Sequence, residues 1–209
     1  MTRALHELIR QRFQLGPANH LTHIENLGSI VKAGGLKPFN QLKGASYFDL
    51  ANPDVQKGRA LIVIPTTKRL LHDYVPLYFG FKTPMVAVNQ DKNKELIFLR
   101  VSLDILAITG VVITDGNARA KYTKFHLYQS IDDLKILDAK AIQSVKYAAN
   151  PMMKHLKQAE ILVPDFLPFA NVLDVICFDE DAKKRVLAGL KQFGIQKAVE
   201  VNPGWYFRT

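Results

Sequence analysis

Short apolar runs alternate with polar, turn-prone stretches along this chain, and few runs hold one period for more than two turns. MTRALHELIRQRF, residues 1–13, spaces its apolar positions as an amphipathic helix that stops near Gly16-Pro17. NHLTHI then predicts a short strand. ENLGSIVKAGG predicts a helix with Leu27, Ile30 and Val31 on one face, closed by Gly34-Gly35. Residues 36–58 read as a long polar connection with a short helix at NPDVQKG. Strands follow at RALIVIP, at VPLYFG and MVAV around a Lys82-Thr83-Pro84 turn, and at LIFLRVS. A short helix LDILAIT and a strand GVVITDG come next. Residues 116–140 are mixed and polar, predicting a surface loop with little regular structure; such long loops in compact domains are usually functional. DAKAIQSVKYAA predicts a helix, AEILVP and NVLDVICF strands, and KAVEVNPGWYF a closing strand. DEDAKKRVLAGLKQFG predicts a helix opened by acids and ended by Gly194, as the helix dipole favours.

Many short strands with scattered helices point to an α+β domain spanning residues 1–209. No internal repeat is present. No glycine-rich phosphate loop follows a strand, so a Rossmann or P-loop reading fails.

Composition adds a partner class. Lysine and arginine number 28 against 19 acids, a formal charge of +9, which favours a polyanion such as nucleic acid. A basic soluble enzyme without such a partner fits the charge equally well, because no run of five like charges appears. The lone Cys177 lies in an apolar run and reads as a small core residue of a cytoplasmic protein. No signal-peptide core and no membrane-length apolar run occurs, so no membrane partner is expected.

The candidate chemistry is sparse. His20 and His23 in HLTH have a metal-like spacing, but the stretch reads as a strand and no further ligand cluster completes a site, so no metal is expected. Strand alternation puts His20 and Thr22 on one face, where a histidine and a hydroxyl suit a ribose; a structural histidine explains His20 as well. No nucleophile motif occurs. Glu160 opens an apolar strand after a basic segment. A carboxylate there can accept a sugar hydroxyl and stabilise positive charge on an anomeric carbon. No second acid stands out as its partner. A single acid suits a leaving group that needs no proton, such as the nicotinamide of NAD; a solvated strand-end glutamate is the ordinary reading. Arg59, just before a strand, can bind phosphate or carboxylate with two hydrogen bonds, though most such arginines are surface residues. LHDYVPLYFGFKTPM, residues 71–85, gathers four rings, more than one strand needs for a core.

Five stretches in order, HLTHIENLGSIVKAGGL, NPDVQKGRALIVIP, LHDYVPLYFGFKTPM, VVITDGNA and KQAEILVPDFLP, span most of the chain, and together they resemble the DarT family of DNA ADP-ribosyltransferase toxins of DarT–DarG toxin–antitoxin systems. The resemblance implies an ADP-ribosyltransferase fold with a split β-sheet core, peripheral helices and NAD clasped between the halves. It implies transfer of ADP-ribose from NAD to a base of single-stranded DNA, thymidine ahead of guanosine. A DarG-type macrodomain antitoxin is the implied partner, and the default assembly is a monomer. By the family's motifs Glu160 and Arg59 fall on the catalytic positions, and His20 with Thr22 faces NAD, with Asn26, Tyr78 and Phe79 beside them. Tyr74, Lys82 and Met85 fall on the DNA side, and the rings of residues 71–85 are expected to stack on nicotinamide and the base. The long loop offers Asn117, Arg119, Lys121, Tyr122 and Lys124 as DNA contacts, an amide for a base edge and cations for phosphates. Two positions depart from the family pattern: Lys82, where arginine is usual, and Gly58, where a second basic residue is common. Two other classes stay open, an ADP-ribosyltransferase acting on RNA or protein and a non-enzymatic single-strand binder.

Overall fold

The computed structural model describes residues 5–207. Helix α1 (Leu5–Phe13) buries Ile9, and the residues predicted to begin that helix, Met1–Ala4, lie outside the described segment. Strand β1 (Ala18–His23) is followed by α2 (Leu27–Lys32), the short β2 (Gly35–Leu36), α3 (Pro53–Ala60), β3 (Tyr74–Tyr78), α4 (Pro84–Val88), β4 (Leu96–Val101), β5 (Val112–Thr114) and β6 (Phe125–Leu127). Helices α5 (Ala139–Gln143) and α6 (Pro151–Leu156) precede β7 (Glu160–Pro164), β8 (Leu167–Pro168), β9 (Val172–Cys177), α7 (Glu180–Gln192) and β10 (Ala198–Val201).

Eight strands form one mixed sheet in the order β10-β9-β4-β1-β3-β7-β5-β6. Its middle is nearly open. β1 pairs with β4 at six positions but with β3 only where Asn19 faces Tyr78. Pro76 at the centre of β3 explains the break. It pairs across to Leu162 on β7, and it has no N–H to give β1. Its carbonyl instead accepts from Nδ1 of His20 at 3.0 Å, so a side chain spans the gap that a backbone rung would close. The sheet is therefore two half-sheets joined at one end, the split core that the family resemblance implies.

Alternation along β4 divides the core. Ile97, Leu99 and Val101 face α1, α2 and α7 with Ile9, Leu27, Val186 and Leu190, while Leu96 and Phe98 face Val86, Ile176 and Tyr206. Cys177 is buried in the first of these layers.

Several predicted elements change. RALIVIP is not a strand: Asn52 caps α3, Pro53 opens it, and the helix runs through Arg59 to Ala60. Residues 61–70 then make a turn with one bridge, Val63 to Leu70. MVAV is helical, since Pro84 sits at the first helical position of α4. Residues 116–140 hold β6 and a 3-10 turn at Ile131–Ile136. The Asn150-capped helix α6 was not predicted, and the closing strand stops at Val201 before a 3-10 turn, Pro203–Trp205.

Lys157, between α6 and β7, is fully buried. Its Nζ donates to the Ile142 carbonyl at 2.6 Å and lies 5.4 Å and 5.8 Å from the ring centres of Phe81 and Tyr147. Burial, with Lys82 nearby, pushes this ammonium down to about 8. A depressed lysine favours the neutral folded form, so between about pH 8 and pH 10 the unfolded chain holds a proton that the folded chain has released, and stability gains as pH rises. Relative to Lys157→Met, the native protein should therefore gain unfolding free energy on going from pH 7 to pH 9.5. Parallel urea titrations of the two proteins at those pH values check this, and a constant difference between them refutes it.

Candidate active site

The gap between β1 and β3 opens into a cleft of about 860 Å³, walled by β1, β3, α3, the start of β7 and the segment from Gly35 to Asn52. That volume lies in the range of small-molecule sites. Glu160, the first residue of β7, stands at its floor and is 1% exposed. Arg59 reaches it from the last turn of α3, placing Nη1 3.2 Å from Oε1 and Nη2 3.0 Å from Oε2. This is a fork-on-carboxylate pair removed from water. The backbone N–H of Ala118 donates to Oε1 at 2.9 Å, and the N–H of Glu160 itself donates to Thr114 Oγ1. One carboxylate thus ties together the helix, the loop after β5, and β7. Burial opposes the charge on Arg59, but the field and hydrogen bonds of Glu160 outweigh it and raise the guanidinium pKa.

The groups nearest the pair are polar and neutral. Tyr78 faces Glu160 across the β3–β7 ladder, and burial with the Glu160 charge raises its phenol pKa despite Arg59, so it stays protonated. His20 donates from Nδ1 to Pro76, which leaves Nε2 as an acceptor, and burial lowers its pKa, so the ring is neutral. Thr22 and Asn26 line the same wall. Asn26 is spent on positioning: its amide donates to Thr22 Oγ1 at 3.1 Å and the Phe48 carbonyl at 2.9 Å, and its oxygen accepts the Phe48 N–H. It pairs with the backbone at Phe48 and holds that segment over the cleft.

Of the predicted DNA-side residues, Tyr74, Met85, Asn117 and Arg119 line the cleft. Asn117 donates to Gln158 Oε1 at 2.8 Å, and the exposed Arg119 lies across α3, where a Cβ on Gly58 would come within 2.8 Å of its Nε. Lys121, Tyr122 and Lys124 are exposed farther along the loop and do not line the cleft. The ring of Tyr122 leans on buried His155, 4.5 Å between centres. Gly116 lies so close to that imidazole that a Cβ would meet it at 2.2 Å, so His155 carries the base of the loop.

Three expected contacts are corrected. Phe79 packs into the core, because alternation turns it to the face opposite Tyr78. Tyr74 borders the cleft but is only 1% exposed, and its hydroxyl is given to Thr67, so no stacking face remains. Lys82 does not line the cleft; its ammonium sits 5.2 Å from the ring centre of Phe207. Phe81 likewise stacks on Trp205 at 4.5 Å. Of the four rings in residues 71–85, Tyr78 and the more deeply buried Tyr74 line the cleft, and Phe79 and Phe81 hold the scaffold. Sequence reasoning passed over Gln158, His72, Gln56 and the wall made by Phe39, Tyr47 and Phe48. The polar look of residues 36–58 concealed that wall. Gln158 sits in the turn two residues before Glu160 and lines the same cleft. Among the described residues no group of three or more His, Cys, Asp or Glu side chains is placed to hold a metal. No helix among them is long and apolar enough to cross a membrane.

The family model described as ssDNA thymidine ADP-ribosyltransferase, DarT, matches residues 19–207. A DNA ADP-ribosyl transferase of Thermus aquaticus is 34% identical over 201 residues, 90% of this chain and 88% of that protein. The solved structure of Thermus sp. 2.9 DarT in complex with ADP-ribosylated ssDNA superposes with a TM-score of 0.85 at 28% identity, covering 91% of this chain and 96% of that one. The same protein in complex with NAD+ gives 0.80 at 28% identity, covering 91% and 97%. A DNA ADP-ribosyl transferase–DNA ADP-ribosyl glycohydrolase fusion protein of Thermosipho africanus is 28% identical over 153 residues, 69% of this chain and 38% of the fusion.

The pair at the cleft floor makes a stability prediction. Removing one partner strands a buried charge, so Arg59→Met should lower the unfolding free energy by about 3 kcal/mol, and adding Glu160→Leu should restore most of it. Urea unfolding of the native, single and double variants measures this. A double variant no more stable than Arg59→Met contradicts the buried pair.

Proposed function

This chain belongs to the DarT family of ssDNA thymidine ADP-ribosyltransferases, and we propose that it moves ADP-ribose from NAD to thymine in single-stranded DNA and releases nicotinamide. The observation that carries this reading is the buried Glu160, held by Arg59 and the Ala118 N–H at the floor of a cleft open between two half-sheets.

NAD supplies a pyridinium leaving group, which departs with the bond electrons and needs no proton. Glu160 accepts the 2′-hydroxyl of the adjoining ribose and stabilises the positive charge that develops on the anomeric carbon. It is already desolvated and oriented by three elements, so little reorganises as the bond breaks. The neutral His20 offers Nε2 as an acceptor to ribose hydroxyls, and the ring of Tyr78 flanks the nicotinamide. Arg59 stands where the base arrives and favours its anionic form; a guanidinium stays charged and is not itself a base. Asn117 and Gln158 offer amides to the base edge, and Arg119 offers a charge to the strand backbone.

A protein that marks DNA in this way is a toxin, and its natural counterpart is an enzyme that takes the mark off. The Thermosipho fusion joins a glycohydrolase of that description to a transferase, which supports a DarG-type macrodomain antitoxin as the partner here. NAD and single-stranded DNA meet in the cytoplasm, which is where this activity belongs.

Mass spectrometry of thymine-containing oligonucleotides incubated with NAD tests the reading. Native protein should add one ADP-ribose, and Glu160→Ala should lower the rate at least ~100-fold, as for loss of a charge-stabilising group. Consumption of NAD with no DNA adduct would move the target to another polymer.

A further inference from the structure

Two donors hold the Glu160 carboxylate, and they differ in kind. Arg59 is a side chain that the transfer also uses at the incoming base. The N–H of Ala118 belongs to the backbone, and its 2.9 Å bond to Oε1 does not depend on where Arg59 points. Once the guanidinium turns toward the base, the aim of the carboxylate rests on that N–H. What fixes Ala118 is therefore part of the site.

Ala118 ends a short turn, Gly116 to Ala118, that is pinned at three places. Thr114 Oγ1 donates to the Gly116 carbonyl at 2.7 Å and accepts the N–H of Glu160. Asn117 donates to Gln158 Oε1, and Gln158 donates from Nε2 to the Lys154 carbonyl at 2.8 Å. The third support is His155, next to Lys154 in the last turn of α6. Its ring is 4% exposed and lies against Gly116: a Cβ there would stand 2.2 Å from Nε2, 2.4 Å from Cε1 and 2.5 Å from Cδ2. Tyr122 packs on the same ring at 4.5 Å between centres.

The surroundings of the ring suit a spacer rather than an acid or a base. His155 does not line the cleft. The nearest acid, Asp115, has Oδ1 3.7 Å from Nε2 and gives that oxygen to the Lys124 N–H at 2.9 Å. Nδ1 is buried and has no hydrogen-bond partner among the described residues. Burial lowers the pKa against the pull of Asp115, so the ring is neutral at pH 7 and brings no second charge beneath Glu160. A flat ring fits under a residue that has no Cβ. Alanine in place of the ring leaves a void into which the turn can sink.

We propose that His155 is a positioning residue of the transfer reaction: its ring sets the height of the Gly116–Ala118 turn and, through the Ala118 N–H, the aim of the Glu160 carboxylate. This rests on the reaction proposed above. No bond to substrate is made or broken at His155.

The test moves the turn from both sides. His155→Ala lets it sink, and Gly116→Ala sets a methyl group against the buried ring and forces it away. Adduct formation on a thymine oligonucleotide is followed by mass spectrometry at saturating DNA and varied NAD. Each variant should lower kcat at least ~10-fold, as a small misplacement at a reacting centre does. KM for NAD should stay within ~3-fold of native, since the interaction lost acts on the transition state. The double variant, whose methyl group occupies the vacated space, should regain at least ~3-fold over Gly116→Ala. In a Glu160→Ala background, His155→Ala should change the residual rate less than ~2-fold, because no carboxylate is left to aim. An unchanged kcat in the two single variants, the same further loss in the Glu160→Ala background, or loss of NAD-dependent thermal stabilisation overturns the proposal. A native protein that makes no thymine adduct overturns the underlying reaction, and this assignment with it.

Discussion

One missing backbone donor organises this molecule. Pro76 sits in the middle of an eight-stranded sheet, at a position where any other residue would offer an N–H to β1. The two central strands meet only at Asn19 and Tyr78, and below that point they part. The polar groups of the cleft are placed by that parting: His20 and Thr22 on one lip, Tyr78 on the other, Glu160 just behind. The half-sheets stay rigid because each is well paired internally, β1 with β4 and β3 with β7. The cleft is thus a defect in a ladder, stabilised by intact ladders on either side.

At the floor of the cleft a buried opposite-charge pair has neutral polar groups beside it, while Lys37, Asp49, Asp54 and Arg119 carry the charge elsewhere on its walls. Surface ion pairs contribute little, and several here join exposed side chains, such as Lys184 with Asp181. The pair of Arg59 and Glu160 differs because its carboxylate is almost wholly out of water. In such surroundings a charge acts strongly on what is brought beside it, which is the property needed to stabilise a transient cation. Neutral Tyr78, His20 and His72 add hydrogen-bonding capacity without competing charge.

Much of this was legible in the sequence, and the failures have physical reasons. AEILVP and LIFLRVS read correctly because long apolar runs in a sheet buried on two faces leave little ambiguity. Glu160 and Arg59 were found as separate residues, but nothing in their spacing says that they meet, since 101 positions part them. RALIVIP misled because β-branched residues carry only a context-dependent strand preference, and here the capped helix before it continued through Arg59. The aromatic stretch misled in the other direction: four rings suggested a binding surface, and two of them, Phe79 and Phe81, pack away from the cleft. Local composition reports that rings are needed, not which side of a strand they take.

The order in which the site is assembled follows from where Glu160 falls in the chain. β7 is inserted between β3 and β5, strands made long before it. Until the ribosome has passed residue 160, the growing chain has neither the carboxylate nor the strand that completes its central half-sheet. A message cut short, or a polypeptide clipped upstream of β7, yields a product with a cleft wall and no chemistry. For a protein that modifies DNA, the reactive carboxylate is thus added only after both lips of the cleft have been made.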